Sequence, residues 1–146
     1  MLFCIDNSDL NLNINPTDFC SAEAISKNGF GYMWGGARAT YGATRGRVCF
    51  EVRIDGNMPV SHLEEEETPN VLRVGWSVSG SNLQLGEVKH SFGYGGTGKA
   101  AESCVFKNYG VKFGVGDVIG AYLVISHFKS FLFFFLGGGQ FFCAHF

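Results

Sequence analysis

The chain has 146 residues, 46% hydrophobic and 16% charged, with a net charge of −2 at neutral pH. That length is one domain's worth at about 100–150 residues per domain, and the composition excludes disorder as a whole-chain description. The near-zero charge gives no general pull toward nucleic acid, whose binders usually present a basic face.

The N-terminus, Met1 to Asp9, carries an acid at Asp6 and no basic stretch, so it does not read as a signal peptide. Leu10, Leu12 and Ile14 then alternate with Asn11, Asn13 and Asn15, the period of a strand with one face buried and one wet. Asn15-Pro16-Thr17-Asp18 follows as a turn, a short helix is expected over Ser21 to Ser26, and Asn28-Gly29 marks the next turn. Val48, Phe50, Val52 and Ile54 alternate with Arg47, Cys49, Glu51 and Arg53, which predicts a second strand. Cys49 sits in its middle and is expected to be a buried structural thiol, since no neighbour in sequence would lower its pKa.

After the turn at Asp55-Gly56-Asn57, the run Glu64 to Glu67 reads as a solvated loop, because adjacent like charges repel and no His or Asp lies at ligand spacing. Thr68-Pro69-Asn70 leads into a third alternating strand, Leu72, Val74, Trp76 and Val78, which ends at Ser79-Gly80-Ser81-Asn82. Trp34, Phe50, Trp76 and Phe92 are expected in the core, as large aromatics of alternating strands usually are. Strands at such spacings, with no helical period beyond two turns, argue an all-β fold, an antiparallel β-sandwich rather than a βαβ one.

Gly93 to Ala100, Gly-Tyr-Gly-Gly-Thr-Gly-Lys-Ala, satisfies two nucleotide-binding patterns at once. A phosphate loop needs a Ser or Thr after its lysine, and Ala100 stands there; it also needs an apolar strand before it and a helix behind it. The segment is therefore read as a glycine-rich β-loop, with nucleotide binding through Gly93 to Lys99 as the alternative. The four histidines, His62, His90, His127 and His145, show no metal-ligand or catalytic spacing, and no cofactor or metal is expected.

Val118 to Leu136 is long enough to cross a bilayer. His127 and Lys129 fall near its centre, where a lysine alone costs about 2.5–3.5 kcal/mol, so membrane insertion is not expected and a small tail-anchored protein is kept as a second alternative. Phe128, Phe131, Phe133, Phe134, Phe135, Phe141, Phe142 and Phe146 are eight of the chain's fifteen phenylalanines, while its last acid is Asp117.

Taken together, Trp34-Gly35-Gly36-Ala37-Arg38-Ala39-Thr40-Tyr41-Gly42, Gly46 to Val52, Leu72 to Ser77, Gln84-Leu85-Gly86-Glu87 with Ser91 to Gly95, and Tyr109 to Phe113 leading to Gly116-Asp117-Val118-Ile119-Gly120 resemble, in order and spacing, the SPRY domain. The likeness is strongest to the heterogeneous nuclear ribonucleoprotein U-like (hnRNP U-like) proteins, and Ile5 to Leu10 resembles that family's first strand. It runs from about Phe3 to about Leu123. The resemblance implies a bent β-sandwich that is no enzyme but a protein-interaction module, holding partner segments in loops at one end. It also implies a nuclear, RNA-processing setting, in which full-length relatives carry a DNA-binding helical motif before the domain, and a nucleotide-kinase-like domain and an Arg-Gly-rich tail after it. RNA binding would rest on those parts, since this sequence has no Arg-Gly repeat and no basic patch interleaved with aromatics.

Arg38, Tyr41 and Arg73 are the candidate partner-binding residues. Two guanidiniums with a tyrosine nearby can receive an acidic peptide through bidentate hydrogen bonds. Equally, each arginine can be a structural partner for Glu51, Glu87 or Asp117.

The sequence departs from the family after Leu123, where an acidic turn, an Asn-Gly hairpin and closing strands would follow. Residues 1–123 are thus expected to be a partial SPRY domain lacking C-terminal strands, and 124–146 a phenylalanine-rich tail foreign to it, the product of translation past an exon boundary or of a gene-model error. With neither alternation nor turn chemistry, that tail is not expected to fix a strand register. Open edges and an uncovered apolar face predict aggregation or chaperone binding.

Overall fold

The structure, a computed structural model, describes residues 2–27, 30–63, 67–126, 130–136 and 140–145, the last two ranges through their backbone. Twelve strands lie among these residues: β1 Phe3–Ser8, β2 Leu12–Ile14, β3 Ala22–Ala24, β4 Ala37–Ala39, β5 Gly46–Arg53, β6 Arg73–Ser77, β7 Ser91–Gly95, β8 Lys99–Glu102, β9 Val105–Asn108, β10 Val118–Ile125, β11 Ser130–Leu136 and β12 Gln140–His145. One 3₁₀ turn, Phe30–Tyr32, accompanies them, and every strand pairing is antiparallel. The chain divides into two compact units, Met1–Gly42 with Asn57–Asn70, and Ala43–Gly56 with Val71–Phe146.

The second unit is an all-β sandwich. One sheet runs β12-β11-β10-β5 and the other β6-β7-β8-β9. Ile119 and Ala121 of β10 pack with Val74 of β6, Tyr94 of β7 and the loop residue Phe113. Phe50, Val52, Trp76, Phe92 and Leu123 close around them. Phe50 meets Trp76 edge to face at 5.0 Å, the favoured geometry for aromatic quadrupoles. Along β5 the expected alternation holds: Val48, Phe50 and Val52 are half-buried while Arg47, Cys49, Glu51 and Arg53 are exposed. Cys49 is consequently not a buried thiol; its odd position in the strand puts it on the wet face, opposite Tyr122 of β10.

Gly86 shows why the link between β6 and β7 needs a glycine. Its φ is +85°, and a Cβ there would stand 2.3 Å from that of Ala101. The β8–β9 turn takes the opposite course, holding Ser103 and Cys104 at positive φ without a glycine.

The first unit is built from short pieces. β1 pairs with β4 across an irregular register, and β2 pairs with β3 through Leu12↔Ala24, Asn13↔Glu23 and Ile14↔Ala22. The segment expected as a short helix over 21–26 is thus largely strand. Asp18 explains it: its carboxylate accepts from the Cys20 and Ser21 amides and the Ser21 hydroxyl, closing an Asx-type loop that returns the chain onto β2. The alternation at the start of β2 is also inverted. Leu10 is 97% exposed and Asn11 only 3%, because Asp9 to Leu12 form a turn, closed by Leu12 N–H to Asp9 O at 3.1 Å, before the strand begins.

The phenylalanine-rich tail carries β11 and β12. β11 pairs with β10 from Ile119↔Leu136 to Ile125↔Ser130, and β12 with β11 from Leu136↔Gln140 to Phe131↔His145. A register therefore forms where none was expected. β10 offers a continuous run of backbone donors and acceptors, and aromatic residues favour the extended state without needing alternation. The expected boundary at Leu123 falls inside β10. The Asn28-Gly29 turn and most of the acidic run Glu64 to Glu67 lie outside the described residues.

Candidate protein-interaction surface

In the first unit, the stretch from Phe30 to Trp34 is held from behind and open in front. Its backbone is fixed by the 3₁₀ turn, with Met33 N–H donating to Phe30 O at 2.9 Å, and by the Asn11 amide, which donates to the carbonyls of Met33 and Trp34 at 3.4 and 3.2 Å. Asp9 clamps the exit, its carboxylate accepting from the Gly36 amide at 2.8 Å. Gly31 lies so close to the residues beneath it that a Cβ would meet Ser26 O at 2.9 Å and Leu63 Cδ2 at 3.1 Å. His62 Nε2 bonds the same Ser26 carbonyl at 2.7 Å, and Ser26 Oγ donates to Pro59 O.

With the backbone fixed, the large side chains face water. Tyr32 is 64% exposed, Met33 58% and Trp34 41%, so Trp34 is not the core residue that its size suggested. Tyr41, a few residues on, is 80% exposed. Arg38, on β4, is half-buried and donates to Asn7 Oδ1 at 3.0 Å. Sequence reasoning missed the Phe30–Trp34 stretch, although the signal was present: four bulky apolar side chains within five residues, at neither strand nor helix spacing.

Arg73 belongs to the second unit. Its guanidinium bonds Glu87 Oε1 and Leu85 O, each at 3.3 Å, and stands 5.1 Å from the Phe106 ring centre. At 16% side-chain exposure it ties the loop before β7 to β9. Of the acidic partners considered for the arginines, Glu87 is engaged by Arg73, while Asp117 accepts from the Gly114 amide at 2.8 Å. Arg38 and Tyr41 thus share one unit, and Arg73 is held within the other.

The glycine-rich segment is a β-hairpin. Gly95 closes β7, Gly98 N–H donates back to Gly95 O at 2.9 Å with Gly98 at φ +84°, and Lys99 opens β8 directly. A strand stands where a phosphate loop requires a helix N-terminus, and the Gly96 amide is already given to Leu72 O at 3.0 Å. Among the described residues no three His, Cys, Asp or Glu side chains gather as metal ligands, and no helix is long and apolar enough to cross a membrane.

Two tyrosines ionise less readily than usual. Burial holds the Tyr94 phenol above its ordinary pKa, and Tyr122 is raised by desolvation first and then by Cys49 and Glu51 beside it.

No family model matches the chain. It is 41% identical over 115 residues to "Heterogeneous nuclear ribonucleoprotein U-like protein 2" of Homo sapiens, and 42% identical over 115 residues to the Mus musculus protein of that name. Each match covers 79% of this chain and 15% of the relative. It is also 36% identical over 120 residues to "ATP-dependent RNA helicase DDX1" of Xenopus laevis, covering 78% of this chain and 15% of that protein. The chain thus spans about 15% of the length of the curated relatives it matches.

Proposed function

The chain carries a SPRY-type region of the hnRNP U-like kind, and on that premise we propose that it works as a non-catalytic protein-interaction module. The pattern of likeness supports this. One region, about 15% of each relative, is common to proteins named for different things, a ribonucleoprotein and a helicase. A part shared across unlike activities is better suited to recruitment than to either chemistry. The same names support a nuclear, RNA-processing setting, and within it we assign RNA contact to parts of such proteins outside this region.

The observation that carries the reading is the exposure of Tyr32, Met33, Trp34 and Tyr41 around a pinned backbone. Exposed aromatics on a rigid frame bind at little entropic cost and are the residues most often found at interface hot spots. Arg38 adds a charged donor, so the partner proposed is an acidic, extended peptide; Arg73, engaged by Glu87 within the second unit, is left out of the proposed surface. We keep residues 1–123 as the interaction region and 124–146 as a tail outside it.

The test is fluorescence anisotropy with a panel of Asp- and Glu-containing peptides that bear one apolar anchor. Tyr32→Ala and Tyr41→Ala are each expected to weaken the best peptide about tenfold or more, and Arg38→Ala to weaken it and flatten its salt dependence. Affinity unchanged in all three variants would reject this surface.

A further inference from the structure

β5 is the outermost strand of its sheet among the described residues, bonded to β10 on one side. Eight residues is long for an exposed edge, and this one carries no proline, lysine or bulge to discourage pairing. Which backbone groups face outward follows from the last bonds to the β10 side: Ile54 N–H donates to Asp117 O at 3.0 Å, and Ile54 O accepts from the Gly116 amide at 2.8 Å. Alternation then turns Val52, Phe50 and Val48 the same way and leaves the N–H and C=O groups of Arg53, Glu51, Cys49 and Arg47 pointing to the open edge. These four residues also carry the exposed side chains of the strand.

That edge is complementary to itself. In an antiparallel pairing about a two-fold axis, outward-facing groups must meet outward-facing groups, which restricts the centre to one of a few residues. Centring on Phe50 opposes Arg47 to Arg53, and centring on Glu51 opposes two carboxylates. Centring on Cys49 sets Arg47 against Glu51 of the second copy and Glu51 against Arg47. It also continues the apolar inner face, with Val48 opposite Phe50, and keeps the strands paired from Gly46 to Val52. The next pair outward, Arg45 with Arg53, lies beyond the strand end, where Arg53 is already neutralised by Asp55 at 2.6 Å.

We propose that the chain forms a two-fold dimer in which β5 pairs antiparallel with β5 of a second copy, centred on Cys49. The interface is isologous, so one sheet continues through both copies. Opposed residues in such a bonded pair have Cα atoms about 5.5 Å apart, within the span a disulfide bridges, so the two Cys49 thiols face one another within reach of a cross-link.

Sedimentation velocity of the full chain over a concentration series in reducing buffer tests this. A concentration-dependent dimer is expected. Arg47→Glu and Glu51→Arg each create like-charge pairs and should weaken it about tenfold, whereas the double exchange restores opposite charges and should recover wild-type association. All these positions are exposed, and unchanged circular dichroism and thermal midpoint confirm that the variants fold. Diamide, which takes up the two thiol hydrogens as it is reduced to the hydrazine, should yield a covalent dimer that Cys49→Ser abolishes and Cys20→Ser and Cys104→Ser retain. A monomer at every concentration, a double exchange as weak as the single variants, or a covalent dimer surviving Cys49→Ser would overturn the proposal.

Discussion

In the second unit, Tyr94, Ile119 and Ala121 are wholly buried between two four-stranded sheets, whereas the first unit buries two polar side chains, Asn11 and Ser26, against one apolar one, Leu63, among the described residues. The sandwich is ordered by apolar area removed from water, a non-directional force that strands of the right alternation satisfy together. The smaller unit is ordered by side chains bonded to distant backbone: Asn11 to Met33 and Trp34, Asp9 to Gly36, Ser26 to Pro59. Directional bonds of this kind fix a loop without covering it, which is why the two most exposed aromatics among the described residues, Tyr41 and Tyr32, belong to the unit with the thinner core.

The widest separation between the two modes comes from truncating Tyr94. Tyr94→Ala removes a fully buried ring that touches Tyr109 and Phe113, at centroid distances of 5.4 and 5.0 Å, and should destabilise the second unit by about 3–5 kcal/mol in urea unfolding. Tyr94→Phe keeps the ring and loses the hydroxyl's bond to Val111 O, so about 1 kcal/mol is expected. Near-equal losses in the two variants would mean that hydrogen bonding outweighs packing in the sandwich as well.

Asn11 is the matching position in the first unit. Asn11→Ala should cost about 1–3 kcal/mol, because two carbonyls lose their donor in a part-buried site. Its diagnostic effect is on the aromatic stretch: with the backbone of Met33 and Trp34 released, hydrogen exchange of the 30–36 amides should quicken while those of β7 and β10 do not change. Uniform quickening over both units would erase the distinction drawn here.

The same contrast decides what could be read from sequence. β5 and β6 were legible because one face of each packs on the core, so burial imposes its period of two on Phe50, Val52, Val74 and Trp76, while Leu72 and Val78, just outside β6, are exposed. Leu10 and Asn11 show the failure of that rule. Their alternation is as clean as that of β5, yet a turn inverts it, and the buried residue is the one whose amide finds carbonyls some twenty residues away. The β8–β9 hairpin escaped notice because Ser103-Cys104 supplies positive φ without the Gly or Asn that usually signals it. Of the candidate site, Arg38 and Tyr41 are proposed from their guanidinium and phenol chemistry, while the Phe30–Trp34 stretch shows in the sequence only as four bulky apolar side chains in five residues, and its exposure follows from the bonds made by Asn11.

The smallest effect tests whether side-chain-to-backbone bonding orders the first unit even where nothing is buried. Asp18 closes the β2–β3 loop, and its pKa is lowered first by the Cys20 amide and then by the Ser21 hydroxyl, all in solvent. A carboxyl whose pKa is depressed on folding stabilises the fold above its unfolded value, near 3.8, and loses that contribution as pH falls through the lower folded value. Wild-type stability should therefore fall slightly more steeply below about pH 4 than that of Asp18→Asn, which keeps an acceptor oxygen but does not titrate there. Backbone amide shifts of Cys20 and Ser21, followed by NMR through the same range, should report a midpoint below the ordinary aspartate value and lose it in the variant. An ordinary midpoint would mean that the loop is held by its backbone pairing alone, leaving Asn11 as the residue on which the unit's order depends.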